Sequence, residues 1–512
     1  MTALTLGEAP LDLDGLDGLL GAPLRVELAP EGLRRVRECR RRLEALAGGR
    51  EAIYGVNTGF GHLKNKRIPP DQLDQLQENL LVSHAVGVGP PAPPEIVRWM
   101  LLFKLHMLLA GSSGVRADVC QRLAAWLNAD LLPLVPTRGS LGASGDLAPL
   151  AHLFLPLIGR GEMLDARGTR LPALEAQATL GLTPLRLAPK EGLALINGTQ
   201  FMSAYAANIG VRARRLADLA DLVLCMSLEG LRGSVRPMDE RLMALRPHPG
   251  AAAVATNVRR HMRDSEILRS HEGCDRVQDP YSLRCAPQVH GAFRDALEHF
   301  RAVVNREINS VTDNPAVLET ADGAGEVVSG GLFHGAPLAL VLDYLAIALT
   351  DLGSISERRV YLLLSGEDGL PKLLMPDTGL NSGFMLPQYT AAALVNECKV
   401  LSTPASVDSI PTSLGQEDHV SMGATAALKC FEVLDRIETV LAIEMMCAAQ
   451  ALDLRAPLRP GAGPRRAHAI VREAIAFAAA DREFGRDIHA AVALLRGSEP
   501  LRRLARHADG GA

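Results

Sequence analysis

Three consecutive small residues, Ala143-Ser144-Gly145, lie in the run Thr137-Arg-Gly-Ser-Leu-Gly-Ala-Ser-Gly-Asp-Leu-Ala-Pro-Leu-Ala-His152, flanked by Gly142 and Asp146. A serine there invites a nucleophile reading. The spacing is not the Gly-x-Ser-x-Gly elbow of a hydrolase, however, and no strand-forming run leads into it. A second chemistry needs only the backbone. Attack of the Gly145 nitrogen on the Ala143 carbonyl closes a five-membered ring, and glycine suits the attacking position because it lacks a Cβ and tolerates unusual backbone angles. Loss of water from that ring and from Ser144 leaves an exocyclic methylidene, an electrophile that no ordinary side chain offers. The competing reading is a helix-capping turn, with Ser144 or Asp146 as N-cap before Leu147. On these residues alone both readings stand.

The run resembles the signature of the aromatic amino-acid ammonia-lyases and aminomutases, which build a methylidene-imidazolone (MIO) from Ala-Ser-Gly. The resemblance continues, in order, through Tyr54-Gly-Val-Asn-Thr-Gly-Phe-Gly61, Ser83-His84-Ala-Val-Gly-Val-Gly89, Lys190-Glu-Gly-Leu-Ala-Leu-Ile-Asn-Gly-Thr-Gln200, Val277-Gln-Asp-Pro-Tyr-Ser-Leu-Arg-Cys285, Asn381-Ser-Gly-Phe-Met385 and Gln416-Glu-Asp-His-Val-Ser-Met422. It therefore spans most of the chain.

The resemblance implies a role for each block. The substrate α-amine adds to the methylidene derived from Ser144 and becomes a better leaving group, after which a base removes a β-proton. Tyr281 resembles the family's base, and Gln278 falls in the same block. A phenol has an ordinary pKa near ~10, so it needs a positive neighbour to serve near neutral pH. Arg284, one helical turn on if a helix begins here, offers that field and is also the natural clamp for the substrate carboxylate, since a guanidinium presents two parallel donors. Tyr54 resembles the residue that closes over the substrate on a glycine-rich loop. Asn197 resembles the amide partner of the carboxylate and the MIO ring, and Phe333 an apolar wall beside it.

Specificity is read from Ser83-His84, which resembles the histidine-lyase branch of the family where phenylalanine lyases carry apolar residues. A buried imidazole substrate has two ring nitrogens to satisfy, and His84 and Glu417 are the expected partners. The implied reaction is elimination of ammonia from L-histidine to give trans-urocanate. Several positions depart from the branch pattern: Leu332 stands where Asn is usual, Ala286 where Gln is common and Thr403 where His is usual, and the Tyr54 loop continues into a basic His62-Leu-Lys64-Asn-Lys66. These departures leave open a modified histidine, Phe or Tyr as substrate and an aminomutase outcome. They also motivate a reading from a different class, a non-catalytic helical assembly or binding protein that kept the fold.

The elements that must position these residues are helical. Aromatic residues make up 4% of the chain, while 47% is hydrophobic and dominated by Ala and Leu, a mix that favours helices over strands. Leu338, Val341, Leu342, Leu345 and Leu349 recur at helical spacing, which predicts a core-facing helix from Pro337 to Leu352 with Gly353 as its stop. Further helices are expected over Ala426 to Ala451 and Val289 to Ser310. The expected fold is mainly α: a long central helix bundle over 201–512 with its C-terminal helical region, and a smaller N-terminal α/mixed domain over 1–200 that carries the Tyr54 loop and the Ala143-Ser144-Gly145 segment. The resemblance implies a homotetramer whose active sites combine residues from several subunits.

A formal net charge of -4 argues against nucleic acid or an anionic membrane as partner and leaves small molecules as the default, of which the resemblance implies an amino acid. Arginines after Pro457 alternate with acids and read as a solvated helical face. Eight scattered cysteines without a close pair read as reduced thiols of a cytoplasmic protein, and the acidic start of the chain is not a signal peptide. No stretch is expected to span a bilayer. No metal is expected, because His271, Glu272 and Cys274 lack a fourth ligand, and no external cofactor is expected, because the electrophile is made from the chain itself.

Overall fold

The Ala/Leu-rich runs fold as long helices: Gln200–Gly230, Ala286–Glu307, Ala336–Leu364 and Gly423–Asp453 have 31, 22, 29 and 31 residues. The structure, a computed structural model, describes residues 4–47, 53, 55–58 and 68–506. Tyr54 and the His62, Lys64 and Lys66 positions lie outside the described residues.

The helix read from Pro337 begins at Ala336, but it does not stop at Gly353 and runs on to Leu364. The glycine has a packing reason instead: a Cβ there would lie 2.2 Å from Ile437 Cδ1, so the missing side chain lets two helices approach closely. The expected 426–451 helix falls inside Gly423–Asp453, and the 289–310 helix is shifted to Ala286–Glu307. Ala336–Leu364 is long and apolar enough to cross a membrane by length and composition. With 61% of its most apolar window buried inside the protein, it has the pattern of a core helix.

The described chain gathers into two compact units, each drawing on three stretches. The first comprises Met1–Val211, Arg301–Leu342 and Pro404–Leu428. Helix Pro94–Leu108 is buried on nearly every side, with Trp99, Met100, Phe103 and Leu105 at 1% exposure or less, as expected of a helix that is apolar all round. The same unit holds short antiparallel strands, Val88–Pro91 with Pro136–Arg138, and Ala316–Glu319 with Gly325–Val328, the latter pair packed on helix Pro30–Ala47. Helices Leu73–His84, Leu147–Phe154 and Glu191–Ile196 pack against one another in this unit. The residues that follow or precede them are the ones singled out above.

The second unit comprises Arg212–Phe300, Asp343–Thr403 and Lys429–Ala512. Helix Ala462–Ala474 packs against Pro249–His261 and Phe484–Gly497. Several of the arginines after Pro457 are matched by acids, Arg459 by Glu266, Arg472 by Asp453, Arg482 by Asp487 and Arg496 by Asp435. A buried ionic network of Asp221, His290, Arg294, Arg359 and Glu444 lies at the interior of this unit.

Candidate active site

The Ala143-Ser144-Gly145 segment connects strand Pro136–Arg138 to helix Leu147–Phe154. A strand does lead into it, contrary to the sequence reading. It is only three residues long, and both it and its partner Val88–Pro91 contain proline, so neither carries a strand pattern of its own. Within the turn Gly142, Ser144 and Gly145 have φ of +79°, +53° and +79°, and Gly142 and Gly145 pair across it, so the chain doubles back on itself. Gly145 is also pressed against Gly198: the two form a parallel bridge, and a Cβ at Gly145 would meet the Gly198 oxygen at 2.2 Å. Only glycine fits that position on both counts.

Asp146 stands at the N-cap position of Leu147–Phe154 but makes no side-chain cap, which removes the capping role from this residue. Its carboxyl is fully buried and turns inward, accepting from Ser140 Oγ at 3.0 Å and Met202 N at 2.9 Å, while its own N–H donates to the Gly198 oxygen at 2.8 Å. Burial pushes this carboxyl up to about 7 against the hydrogen bonds from Met202 and Ser140. The turn is thus anchored by an interior carboxyl, and the Ser144 hydroxyl is left to point elsewhere. It donates to Glu417 Oε1 at 2.9 Å, and Glu417 Oε2 accepts from Thr412 Oγ1 at 3.0 Å.

His84 ends helix Leu73–His84, with Nδ1 3.0 Å from Ser83 Oγ. Burial lowers its pKa, with the Leu80 backbone and the Glu417 charge acting in the opposite sense, which favours a neutral imidazole with one donor and one acceptor. Asn197 is the buried C-cap of helix Glu191–Ile196 and leads directly into Gly198. Its carbonyl accepts from the fully buried Lys104 Nζ at 2.5 Å. Phe333 is half-buried just before helix Ala336–Leu364, beside an exposed Leu332. The first unit therefore brings Ser144 into contact with Glu417, sets His84 within the field of Glu417, and places Asn197 one residue from the glycine that presses on Gly145.

In the second unit, Tyr281 opens the one-turn helix Tyr281–Arg284, so the condition for Arg284 to lie one turn from Tyr281 is met. Tyr281 is 70% exposed, and the Arg284 guanidinium carbon lies 4.4 Å from its ring centroid, a cation–π arrangement. Arg284 Nε also donates to the Asp279 carbonyl at 3.0 Å, and Asp279 is fixed in turn by the Ser234 N–H at 2.6 Å. Gln278 is exposed on the preceding segment. Of the departures from the branch pattern, Ala286 is fully buried as the first residue of Ala286–Glu307, and Thr403 is exposed with its carbonyl accepting from Lys429.

Two participants escaped the sequence reading. Asp146 was visible only as a cap. Lys104 sits in Trp99-Met-Leu-Leu-Phe-Lys-Leu105, and a lone charge in such an apolar run was a signal in itself, since an unpaired ammonium is costly to bury.

What the turn can do chemically follows from its shape. The doubled-back backbone, the glycine that admits no Cβ and the serine hydroxyl aimed at a carboxylate together fit the internal cyclisation of Ala143-Ser144-Gly145. Known proteins resemble the whole chain. The profile of the family described as aromatic amino acid lyase matches residues 11–473. The histidine ammonia-lyase of Gloeobacter violaceus is 52% identical over 494 residues, covering 96% of this chain and 95% of that protein. The crystal structure of histidine ammonia-lyase from Trypanosoma cruzi superposes with a TM-score of 0.90 at 40% identity, over 98% of this chain and 95% of that one. A tyrosine aminomutase from Streptomyces globisporus reaches a TM-score of 0.93 at 34% identity over the full length of both. A family match over residues 11–473, with relatives and solved structures that cover the chain almost from end to end, makes this protein a member of the aromatic amino acid lyase family.

Proposed function

We propose that the protein is a histidine ammonia-lyase, a carbon–nitrogen lyase that eliminates ammonia from L-histidine to give trans-urocanate. The observation that carries this reading is the Ala143-Ser144-Gly145 turn, with Gly145 closed against Gly198 and the Ser144 hydroxyl on Glu417. The MIO that these three residues would form supplies an electrophile for the substrate amine, and no external cofactor is needed.

The remaining chemistry belongs to ordinary side chains. Tyr281 takes the β-proton, and the Arg284 guanidinium over its ring places positive charge where a phenolate would develop. Arg284 and Asn197 hold the substrate carboxylate, Gln278 lies beside the base, and Phe333 forms an apolar wall. His84 and Glu417 take the two imidazole nitrogens; a neutral His84 can donate or accept, and Glu417 accepts, so the pair matches a ring with one N–H and one bare nitrogen. Tyr54 closes over the substrate. The working form is a homotetramer in the cytoplasm, the small amino acid being its partner rather than nucleic acid or membrane.

An aminomutase is the second reading, favoured by the fit to the tyrosine aminomutase. Incubation with histidine, its methylated and thiolated relatives, Phe and Tyr separates the readings. Ammonia and urocanate in equal amounts from histidine, with little from Phe or Tyr, are the expected result. A β-amino acid product without free ammonia would replace the lyase reading with the mutase one, and turnover of a thiolated or methylated histidine alone would move the substrate.

A further inference from the structure

Lys104 is the anomaly of the first unit. It is fully buried on helix Pro94–Leu108 among Trp99, Phe103 and Leu105, and among the described residues its ammonium has one hydrogen bond, to the Asn197 carbonyl at 2.5 Å. Among the described residues no carboxylate forms an ion pair with it. Asp313 is already held by Lys190 Nζ at 2.7 Å and by the Asn314 N–H at 2.7 Å, and Asp146 by Ser140 and Met202. Burial accordingly pushes Lys104 down to about 7, against the fields of Asp313 and Asp146. A methionine or leucine would fill the same space without desolvating a charge, so stability alone gives no reason for a lysine here. What lysine alone supplies is a long-reach donor to one peptide oxygen.

That peptide is the one that presses on the candidate ring. The Asn197 carbonyl and the Gly198 nitrogen share a plane, so a donor on the oxygen orients both. Gly198 has φ of +123°, and a Cβ on it would meet Gln200 Oε1 at 2.5 Å and Thr312 Oγ1 at 2.7 Å. Its position has no slack. Its oxygen accepts the Asp146 N–H, and its backbone lies where any Cβ on Gly145 would be.

We propose that Lys104 is a positioning residue for ring closure: by holding the Asn197–Gly198 peptide it keeps Gly145 folded over Ala143. In that closure the Gly145 nitrogen bonds to the Ala143 carbonyl carbon. The carbonyl oxygen leaves as water with the protons of the Gly145 and Ser144 nitrogens, and the Ser144 hydroxyl leaves as a second water with the Ser144 α-hydrogen. No oxidant or reductant is required. Lys104 does not touch the reacting atoms and acts through Asn197 and Gly198.

This inference rests on the reading of Ala143-Ser144-Gly145 as the source of the electrophile, and the test separates the two. Full-length wild type, Lys104→Met and Lys104→Gln are purified and compared by intact mass, with folding followed by circular dichroism and the mass followed over time after refolding. The expected result is a two-water deficit in wild type, and folded Lys104→Met that gains it at least roughly tenfold more slowly, as loss of an orienting contact in a closure step would give. Lys104→Gln, which keeps a shorter donor, is expected in between. A wild type without the deficit sinks the underlying reading instead. A folded Lys104→Met, or a folded Lys104→Gln where Lys104→Met does not fold, that is processed as fast as wild type overturns the role of Lys104. So does failure of both variants to fold, which would assign the residue to the core alone.

Discussion

Each unit buries charges, and the set around Asp221 and Glu444 in the second is built differently from Lys104 and Asp146 in the first. In the second unit the network around Glu444 and Asp221 is closed, although Glu229 elsewhere in that unit, held only by the Ser265 hydroxyl and the Gly461 N–H, is pushed up to about 7 by burial. Glu444 accepts from Arg359 Nε at 2.5 Å and Nη2 at 2.8 Å and from Ser227 and Ser356 at 2.6 Å, and Asp221 accepts from His290 at 2.9 Å, Arg294 at 2.6 Å and Asn257 at 2.8 Å. Burial alone would raise the Asp221 carboxyl, but the Arg294 charge and the His290 contact outweigh it and hold it well below the ordinary carboxylate range. In the first unit, by contrast, Lys104 and Asp146 are both pushed to about 7, each buried without a counter-charge of its own. A closed network keeps its charges fixed and serves the fold, whereas a buried group without an ion-pair partner is drawn toward its neutral form. Asp146 anchors the glycine turn, and Lys104 holds the Asn197 carbonyl next to the glycine that presses on it.

Breaking the closed network is expected to cost the most stability. Arg359→Met leaves Glu444 buried without a cation, which should lower unfolding stability by about 3–5 kcal/mol in urea titrations. A loss under about 1 kcal/mol would show that the network is not closed in the way described.

The poised set should declare itself through pH. The Asp146 pKa is raised on folding, so its contribution is complete below the ordinary carboxylate pKa and is lost as pH climbs through about 7. Asp146→Asn does not titrate. Between pH ~4 and ~8 the wild type should therefore lose up to roughly 4 kcal/mol relative to the variant. Parallel stability curves for the two would contradict the poised state.

A smaller effect is expected at the substrate end of the same unit. His84→Leu removes one partner of a buried imidazole nitrogen and should lower kcat/KM for histidine by roughly ten- to a hundredfold, with the unfolding midpoint unchanged. Equal losses for histidine and Phe would remove His84 from specificity. The smallest effect lies at the surface, where Arg34 pairs with Glu31 and Glu38 on helix Pro30–Ala47. Solvent screens those pairs, and Arg34→Ala should leave both the midpoint and turnover where they were; a clear shift in either would mean that charge at the surface counts as it does inside.

How much of this was legible in the sequence depends on where each residue finds its partner. Gly-Ala-Ser-Gly announces an unusual backbone because the requirement is local, whereas the helix opening at Tyr281, with Pro280 as its N-cap, stands only as a condition in the sequence. The contact of Arg284 with Tyr281 follows from a spacing of three on one helical turn. Gly353 was misread as a stop because its reason is Ile437, far along the chain. Strand Pro136–Arg138 was missed because its pairing with Val88–Pro91, and not its own residues, makes it a strand. The capping turn was a fair reading of Asp146 until Met202 and Ser140 claimed its carboxyl. Lys104 stands out as a lone charge in an apolar run, but its role does not, because its partner is a backbone oxygen, which no residue type reveals.

The central claim is that the chain makes its own electrophile from Ala143-Ser144-Gly145. Intact mass of the purified full-length protein beside Ser144→Ala, with ammonia release from histidine measured on the same samples, tests it most directly. The account predicts a two-water deficit and turnover in the wild type, and neither in a folded Ser144→Ala. A wild type of unmodified mass that still releases ammonia, or turnover that survives in Ser144→Ala, would contradict it.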